Sequence, residues 1–447
     1  MAFRHVGALR VFAWGRPIGA LAPSGRRGTY AFEYEPSWLR SGVSLAPVLM
    51  PMPSPTGPRS SRVFHFPGLS RESFHGLPPM IADAAPDRFG NQLITARLAR
   101  EGVSAADVTA LDRLAYVGER AMGALSFEPD TGPTEQPTTV ELRTLVETAR
   151  TAVRGDLDTS DTRTSALDQL VAVGTSAGGA RAKAVLAWNR ATGEMRAGNL
   201  PTPPGFEQWI LKFDGLGEDH HLGSGQEYGR TEYAYSLMAR AAGIEMSECL
   251  LLEEGGRAHF MTRRFDREAS PGRTGAEVRL HMQTLGAVAG LDFNALETND
   301  YASLFTTLGD LEIATAQMRE QAFRRVVFNV LASNNDDHVK NVSFLRGESS
   351  PWRLSPAYDL TFAYRADSVW TRQHLMGVGG VFDDITVDDL AHLADRFAVP
   401  GIREVIADVD RVVRAWPDFA REAGLGTERT REIGERLALV RESAGLS

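Results

Sequence analysis

The stretch Asn334-Asn335-Asp336-Asp337-His338-Val339-Lys340-Asn341, followed by Asp359 in Leu354-Ser355-Pro356-Ala357-Tyr358-Asp359, sets the terms on which the rest of the chain is read. Asp336 and Asn341 stand five positions apart, and a second aspartate follows after a segment that reads as a β-hairpin. Phosphoryl transfer calls for this set of groups. It needs a carboxylate to orient an attacking hydroxyl and accept its proton, and oxygen ligands for Mg2+ ions that neutralise charge on the transferred phosphates. Asp336 suits the first role. Asn341 and Asp359 suit the second, because hard Mg2+ prefers carboxylate and amide oxygens supplemented by water.

The flanking sequence supports that placement. Phe323, Val326, Val327, Val330 and Leu331 recur at helical spacing and predict a helix with one buried face leading into the polar run. Val342 to Leu345 reads as a strand, Gly347 to Ser350 as a turn and Trp352 to Leu354 as the return strand. Helix, polar loop, hairpin and second aspartate follow in the order found in protein kinases. Taken alone, a run of Asn and Asp after a helix is also what a solvated turn looks like, since both residues bond readily to nearby backbone. The register of Asn341, the hairpin and Asp359 sets this segment apart from a plain turn.

Upstream, residues 6 to 35 alternate like strands, including Ala8 to Phe12, Ile18 to Leu21 and Tyr30, Phe32 and Tyr34 on one face. Residues 46 to 79 are proline-rich and predict extended connections instead of long helices. A helix is expected over Asn91 to Glu101, a linker over Thr131 to Pro137 and a further helix near 140 to 154. Ser176-Ala177-Gly178-Gly179-Ala180-Arg181-Ala182-Lys183 is a glycine-rich turn running into the strand Ala184 to Trp188. Glycine lets backbone N–H groups approach phosphate, although this run matches neither the Walker-A nor the dinucleotide spacing and also fits a ligand-free hairpin. Trp209-Ile210-Leu211-Lys212-Phe213 reads as a buried strand with one lysine, and Glu232 opens a helical stretch from which it could pair with Lys212, or merely favour the helix dipole. Leu250 to Leu252, Gly255-Gly256 and His259 to Thr262 form a hairpin entering Arg263-Arg264-Phe265-Asp266-Arg267, the position of a kinase hinge. Helices are expected near 316 to 333, 386 to 397, 399 to 415 and 427 to 443.

These segments predict an α+β chain with a two-lobed, protein-kinase-like fold, an N-terminal β-rich subdomain and a mainly helical C-terminal lobe. The expected domains are 1–130, 131–268 as a nucleotide-binding lobe, and 269–447 as the lobe bearing the catalytic loop. At 447 residues and 43% apolar, the chain exceeds the usual size of one core. Its single cysteine, Cys249, excludes an intrachain disulfide and fits a reducing cytoplasm, while Met1 to Gly15 lacks an uninterrupted apolar core of signal-peptide length, so a cytoplasmic, unprocessed, soluble protein is expected. No run approaches the ~18 apolar residues of a membrane span. A formal charge of −9 argues against autonomous tight binding to a nucleic-acid backbone.

The set Ser176 to Lys183, Ile210-Leu211-Lys212-Phe213, Arg264-Phe265-Asp266-Arg267, Asn335 to Asn341 and Pro356-Ala357-Tyr358-Asp359 resembles the HipA family, and Pro86-Asp87-Arg88-Phe89-Gly90 extends the likeness into the N-terminal region. Proteins of that family are serine/threonine kinase toxins of bacterial type II toxin–antitoxin pairs. The resemblance implies ATP and Mg2+ as cofactors, Asp336 as catalytic base, and Asn341 and Asp359 as metal ligands. It implies that Gly178, Gly179, Ala180, Arg181, Ala182, Lys183 and Lys212 contact the ATP phosphates. Arg263, Arg264 and Phe265 would line the adenine site, with His338, Val339, Lys340 and Tyr358 completing the pocket. Ser176 matches the family's autophosphorylation serine, where added negative charge would repel ATP. Arg263 departs from an acidic residue in the family pattern, and Arg181 and Ala182 replace polar and acidic neighbours of the loop lysine. The family further implies a helix-turn-helix, HipB-like antitoxin, DNA contact only through it, and a translation protein such as an aminoacyl-tRNA synthetase as target, with growth arrest as the outcome. A small-molecule phosphotransferase of lipid or aminoglycoside type, or a non-catalytic co-repressor that tethers an antitoxin, also fits these residues.

Overall fold

The computed structural model describes residues 3–25, 28–133, 144–149, 181–198, 202, 204–214, 227–269 and 277–446. The chain divides into two units, one comprising 1–217, 261–283 and 345–351, the other 218–260, 284–344 and 352–447.

The first unit begins with a five-stranded sheet of β1 (Leu9–Ala13), β2 (Arg16–Pro23), β3 (Tyr30–Tyr34), β4 (Val63–Phe64) and β5 (Leu125–Glu128), in the order β4-β3-β2-β1-β5. The alternation read from sequence is realised in β1, where Leu9, Val11 and Ala13 are buried, and in β3, where Tyr30, Phe32 and Tyr34 are. Gly19 of β2 is required by close approach, since a Cβ there would lie 2.3 Å from the Glu33 carbonyl oxygen. The Tyr34 hydroxyl, buried in the core, donates to the Met50 carbonyl at 3.0 Å and so ties the proline-rich segment to the sheet. Between β3 and residue 87 the helical elements are four residues long at most, as proline there leads one to expect. The helix Arg88–Ala99 follows, capped by Asp87, whose Oδ1 accepts the Gly90 N–H at 2.6 Å.

The same unit carries β6 (Lys183–Trp188), β7 (Met195–Ala197) and β8 (Glu207–Lys212), with β6 antiparallel to both neighbours. Beside them lies a buried ionic cluster. Arg264 donates to both oxygens of Asp266 at 2.9 and 2.8 Å and to Gln208 Oε1 at 3.0 Å. Arg267 donates to Asp266 at 2.7 Å, and the Gly123 N–H does so at 2.7 Å. The two arginines hold the Asp266 carboxyl far below the usual carboxylate range against the opposing effect of burial. With both side chains of the Arg264–Asp266 pair wholly buried, removing one partner strands a charge. Asp266→Ala is therefore expected to lower stability by about 3–5 kcal/mol, read from urea unfolding.

His281 of the same unit is fully buried, with Nε2 3.0 Å from the Leu45 carbonyl oxygen. Burial is the main cause that lowers its pKa from 6.5 to about 4; the Leu45 contact opposes the shift and Arg346 adds to it. In the unfolded chain the imidazole binds its proton at higher pH than in the folded one. This contribution to stability is therefore complete above pH ~6.5 and lost as pH falls through ~4, a span worth about 3 kcal/mol. Urea midpoints measured from pH 7 to pH 4.5 are expected to fall, and His281→Asn to flatten that slope.

The second unit is mainly helical, with Tyr228–Ala241, Ala302–Asp310, Ala316–Leu331, Val387–Arg396, Ile402–Arg414, Trp416–Glu422 and Thr427–Ser443. Every residue from Ala322 to Leu331 is buried, so this helix sits in the core on all sides and not on one face only. Its polar members find partners: Arg325 donates to the Ser355 carbonyl at 2.7 Å and Arg324 to the Ala242 carbonyl at 2.8 Å. Tyr235 packs edge-on against Phe328 and Trp416 and donates to the Ala332 carbonyl at 2.6 Å, which fixes the helix end from which the candidate site departs. Among the described residues no helix is long and apolar enough to cross a membrane.

Candidate active site

The Ala316–Leu331 helix ends at Ala332, and Ser333 takes a positive φ of 49° that turns the chain into the polar run. From there the side chains divide. Ser333, Asn334, Asn335 and Asp337 are all buried, whereas the Asp336 side chain is 37% exposed. Asp337 Oδ2 accepts the Tyr301 hydroxyl at 2.7 Å and lies 2.9 Å from His374 Nδ1, while Oδ1 accepts the Leu375 and Met376 N–H groups at 2.8 and 3.3 Å. Of two adjacent aspartates, Asp337 is buried in a set of hydrogen bonds and Asp336 is partly exposed.

Asn341 closes the turn. Its backbone N–H donates to the His338 carbonyl and its side-chain Nδ2 to the Asp336 carbonyl, both at 2.8 Å. With Nδ2 so engaged, Oδ1 is the atom left for an electrophile, a hard oxygen of the type Mg2+ takes. The Val339 carbonyl accepts the Gly286 N–H at 3.0 Å, and Val339 itself is fully buried. The Tyr358 hydroxyl donates to the Lys340 carbonyl at 2.6 Å and contacts the Ser343 hydroxyl, which joins the chain beside Asp359 to the chain beside Asn341. Asp359 is held at φ 55°, a left-handed conformation uncommon for a residue with a side chain. Desolvation lowers the His338 pKa to about 4, opposed by Asp359 and Asp337, so the imidazole is neutral at pH 7. It braces the turn by accepting the Lys340 N–H on Nδ1 at 3.3 Å and stands 3.9 Å from Asp336, beyond hydrogen-bond reach. The Lys340 ammonium lies 4.2 Å from the Phe293 ring centroid.

In the first unit, Lys183 and Lys212 are register partners on β6 and β8, 3% and 8% exposed. Two lysines side by side in a core need a counter-charge. Asp87 supplies one, its Oδ2 3.5 Å from Lys183 Nζ with both side chains buried. Ala182 is buried at the start of β6 and its carbonyl accepts the Phe213 N–H at 3.1 Å, with Arg181 half-buried just before it. Ser176, Gly178, Gly179 and Ala180 lie outside the described residues. Arg263 is exposed and 3.5 Å from Glu207, and Phe265 is half-buried in the following turn. The Arg264 side chain is spent on Asp266 and Gln208, and its backbone N–H donates to the Gln208 carbonyl at 2.9 Å. Glu232 is buried on the Tyr228–Ala241 helix of the second unit.

Tyr301, His374 and Asn329 were not singled out from sequence, and Asp337 and Asp87 stand in quoted motifs without a role of their own. Each acquires its role from a partner remote in the chain, and only the doubled aspartate hinted that one of the pair is structural. Among the described residues no cluster of three or more His, Cys, Asp or Glu is placed to hold a metal. Mg2+ commonly rests on one or two protein oxygens plus substrate phosphates and water, and Asn341 with Asp359 fits that donor set.

A family model described as HipA N-terminal domain matches residues 9–128, and one described as HipA-like C-terminal domain matches residues 175–416. The chain is 25% identical over 435 residues to a Sinorhizobium fredii protein named "Putative kinase Y4mE", covering 94% of this chain and 87% of that one. A second protein of the same organism, "Putative kinase Y4dM", is 30% identical over 183 residues, covering 36% of this chain and 41% of its own. Among solved structures, the Shewanella oneidensis MR-1 toxin–antitoxin complex of HipA, HipB and operator DNA superposes with a TM-score of 0.65 at 19% identity, covering 98% of each chain. That likeness bears on fold, and it agrees with the α+β, kinase-like class expected from sequence. With more than half its length matched by the C-terminal model and most of the remainder by the N-terminal one, the chain belongs to the HipA family.

Proposed function

We propose that this chain is an ATP- and Mg2+-dependent serine/threonine protein kinase that acts as the toxin of a toxin–antitoxin pair. The observation that carries the proposal is the division of labour at the turn. Asp337 is buried and saturated with hydrogen bonds, while the side chain of its neighbour Asp336 is partly exposed beside a fixed Asn341. In this role Asp336 orients the acceptor hydroxyl and takes its proton. Asn341 and Asp359 offer oxygens to Mg2+, which when bound neutralises charge on the triphosphate. Lys183 and Lys212 present buried ammonium groups for the phosphates, and Arg263 to Phe265 supply backbone to the adenine. Neutral His338 and the Tyr358 hydroxyl keep the turn in shape. Ser176 is the proposed autophosphorylation site.

Growth arrest through a translation protein is the proposed outcome, in the cytoplasm. The structural neighbour's complex with HipB and operator DNA supports a helix-turn-helix antitoxin as partner. The charge of −9 leaves DNA binding to that partner.

The test is incubation with γ-labelled ATP and a cell extract, followed by mass spectrometry. Label on serine or threonine of protein, Ser176 included, is expected. Label confined to a metabolite selects a small-molecule phosphotransferase, and no Asp336-dependent label at all selects the non-catalytic co-repressor.

A further inference from the structure

The Asp337 carboxylate is a meeting point of bonds at the turn. Its four acceptor contacts use both oxygens: the Tyr301 hydroxyl and His374 Nδ1 on one, the Leu375 and Met376 amides on the other. That is about the full lone-pair capacity of a carboxylate. The bonds continue as a closed circuit. Asn329 Nδ2 donates to the Tyr301 hydroxyl at 2.9 Å, Asn334 Nδ2 donates to Asn329 Oδ1 at 2.9 Å, and Asn334 lies three residues before Asp337 on the same turn. Asn335 adds a bond to the Thr371 carbonyl at 3.1 Å, the Leu375 N–H is shared with the Asn335 carbonyl at 3.3 Å, and the Ser333 carbonyl accepts the Ala363 N–H at 3.0 Å. The returning segment is fixed from its far side too. Asn299 and Asp300 pair in parallel with Met376 and Gly377, and the Tyr301 N–H donates to the Gly377 carbonyl at 2.9 Å.

From this geometry we infer that Asp337 is a positioning residue, a clamp that makes the turn 333–341 and the segment 371–377 one hydrogen-bonded body and thereby aims Asp336. The inference rests on the kinase role given above to Asp336. Neither oxygen of Asp337 is left over for substrate, so its effect on chemistry is transmitted through the backbone it shares with Asp336. A neutral amide is a poor replacement. An asparagine accepts on one atom only, and its NH2 would face either the two backbone N–H donors or Tyr301 and His374. His374 acts through Nδ1, and an asparagine side chain can place an N–H donor near that position where leucine cannot.

The experiment compares the full chain with Asp337→Asn, His374→Leu and His374→Asn, by amide hydrogen exchange of peptides covering 333–341 and 371–377 and by steady-state kinetics in ATP. Asp337→Asn is expected to speed exchange in both peptides together and to lower kcat about 10²-fold, the scale of a misplaced catalytic group, with KM for ATP changed by no more than about twofold. His374→Leu follows it, and His374→Asn restores protection and turnover. The proposal is overturned if Asp337→Asn exposes 371–377 while 333–341 stays protected. It is equally overturned if turnover falls only in proportion to the folded fraction, or if His374→Asn is no better than His374→Leu. Should the unmodified protein transfer no phosphate, the kinase role fails by itself, and the paired exchange still decides whether the clamp exists.

Discussion

Asp336→Ala is expected to retain the fold and nucleotide affinity while losing turnover by ~10²–10⁴-fold, the contribution of a positioned general base. Retention of fold follows from exposure. The Asp336 side chain is 37% exposed, and its backbone carbonyl, which accepts Asn341 Nδ2, keeps that bond when the side chain is cut back to alanine. A substitution at a half-buried position that leaves the backbone bonds in place changes stability by about 1 kcal/mol or less. The loss must therefore come from chemistry. It is measured as initial rate of protein labelling against ATP concentration, alongside the melting temperature. A variant labelling at the wild-type rate removes Asp336 from the reaction. Asp337→Ala is the instructive contrast, because it strands four donors in the core and should cost stability as well as rate.

The two aspartates also mark where sequence stops and structure begins. The apolar stripe Phe323, Val326, Val327, Val330 and Leu331 announced the helix because periodicity is a local property, and all five are buried. The β1 to β3 alternation was readable for the same reason. Spacing alone put Asp336 ahead of its neighbour as candidate base. What gives Asp337 a structural role is a tyrosine 36 positions earlier and a histidine 37 positions later, neither of which leaves a local trace. Long-range partners also explain Arg264. The family resemblance implies that Arg264, within Arg-Phe-Asp-Arg, lines the adenine site. Its guanidinium satisfies Asp266 and Gln208 in the core, a use that no pattern of adjacent residues encodes.

The lysines followed a middle course. Lys212 was picked from its strand and Lys183 from the end of the glycine-rich turn, but the β6 to β8 register that sets one against the other depends on pairing across the sheet. Burying two like charges at adjacent positions is costly unless compensated, and Asp87, the cap of a helix almost a hundred residues earlier in the chain, is part of the compensation. The N-terminal region thus contributes a side chain to the candidate phosphate-binding strands. The Pro86-Asp87-Arg88-Phe89-Gly90 likeness to the family gains a physical meaning from that contact.

Asp359 should separate stability from binding. At φ 55° its backbone lies where an L-residue without a polar side chain is disfavoured by about 1–2 kcal/mol, and where glycine is at ease. Glycine also loosens the unfolded chain, which takes back part of that gain. Asp359→Gly is therefore expected to be more stable than Asp359→Ala by about 1 kcal/mol, the reverse of the order found in helices. Both variants lack the carboxylate that complements Asn341 Oδ1. Both should therefore lose the part of ATP affinity that depends on Mg2+, seen as the difference between titrations in Mg2+ and in chelator. If Asp359 were present only to shape the turn, the glycine variant would keep the wild-type Mg2+ dependence, because glycine tolerates the same backbone. If the carboxylate carries metal, the glycine variant folds as well as or better than alanine and still binds ATP with no benefit from Mg2+. An affinity gain on adding Mg2+ equal to that of the wild type in Asp359→Gly would remove this residue from the metal site.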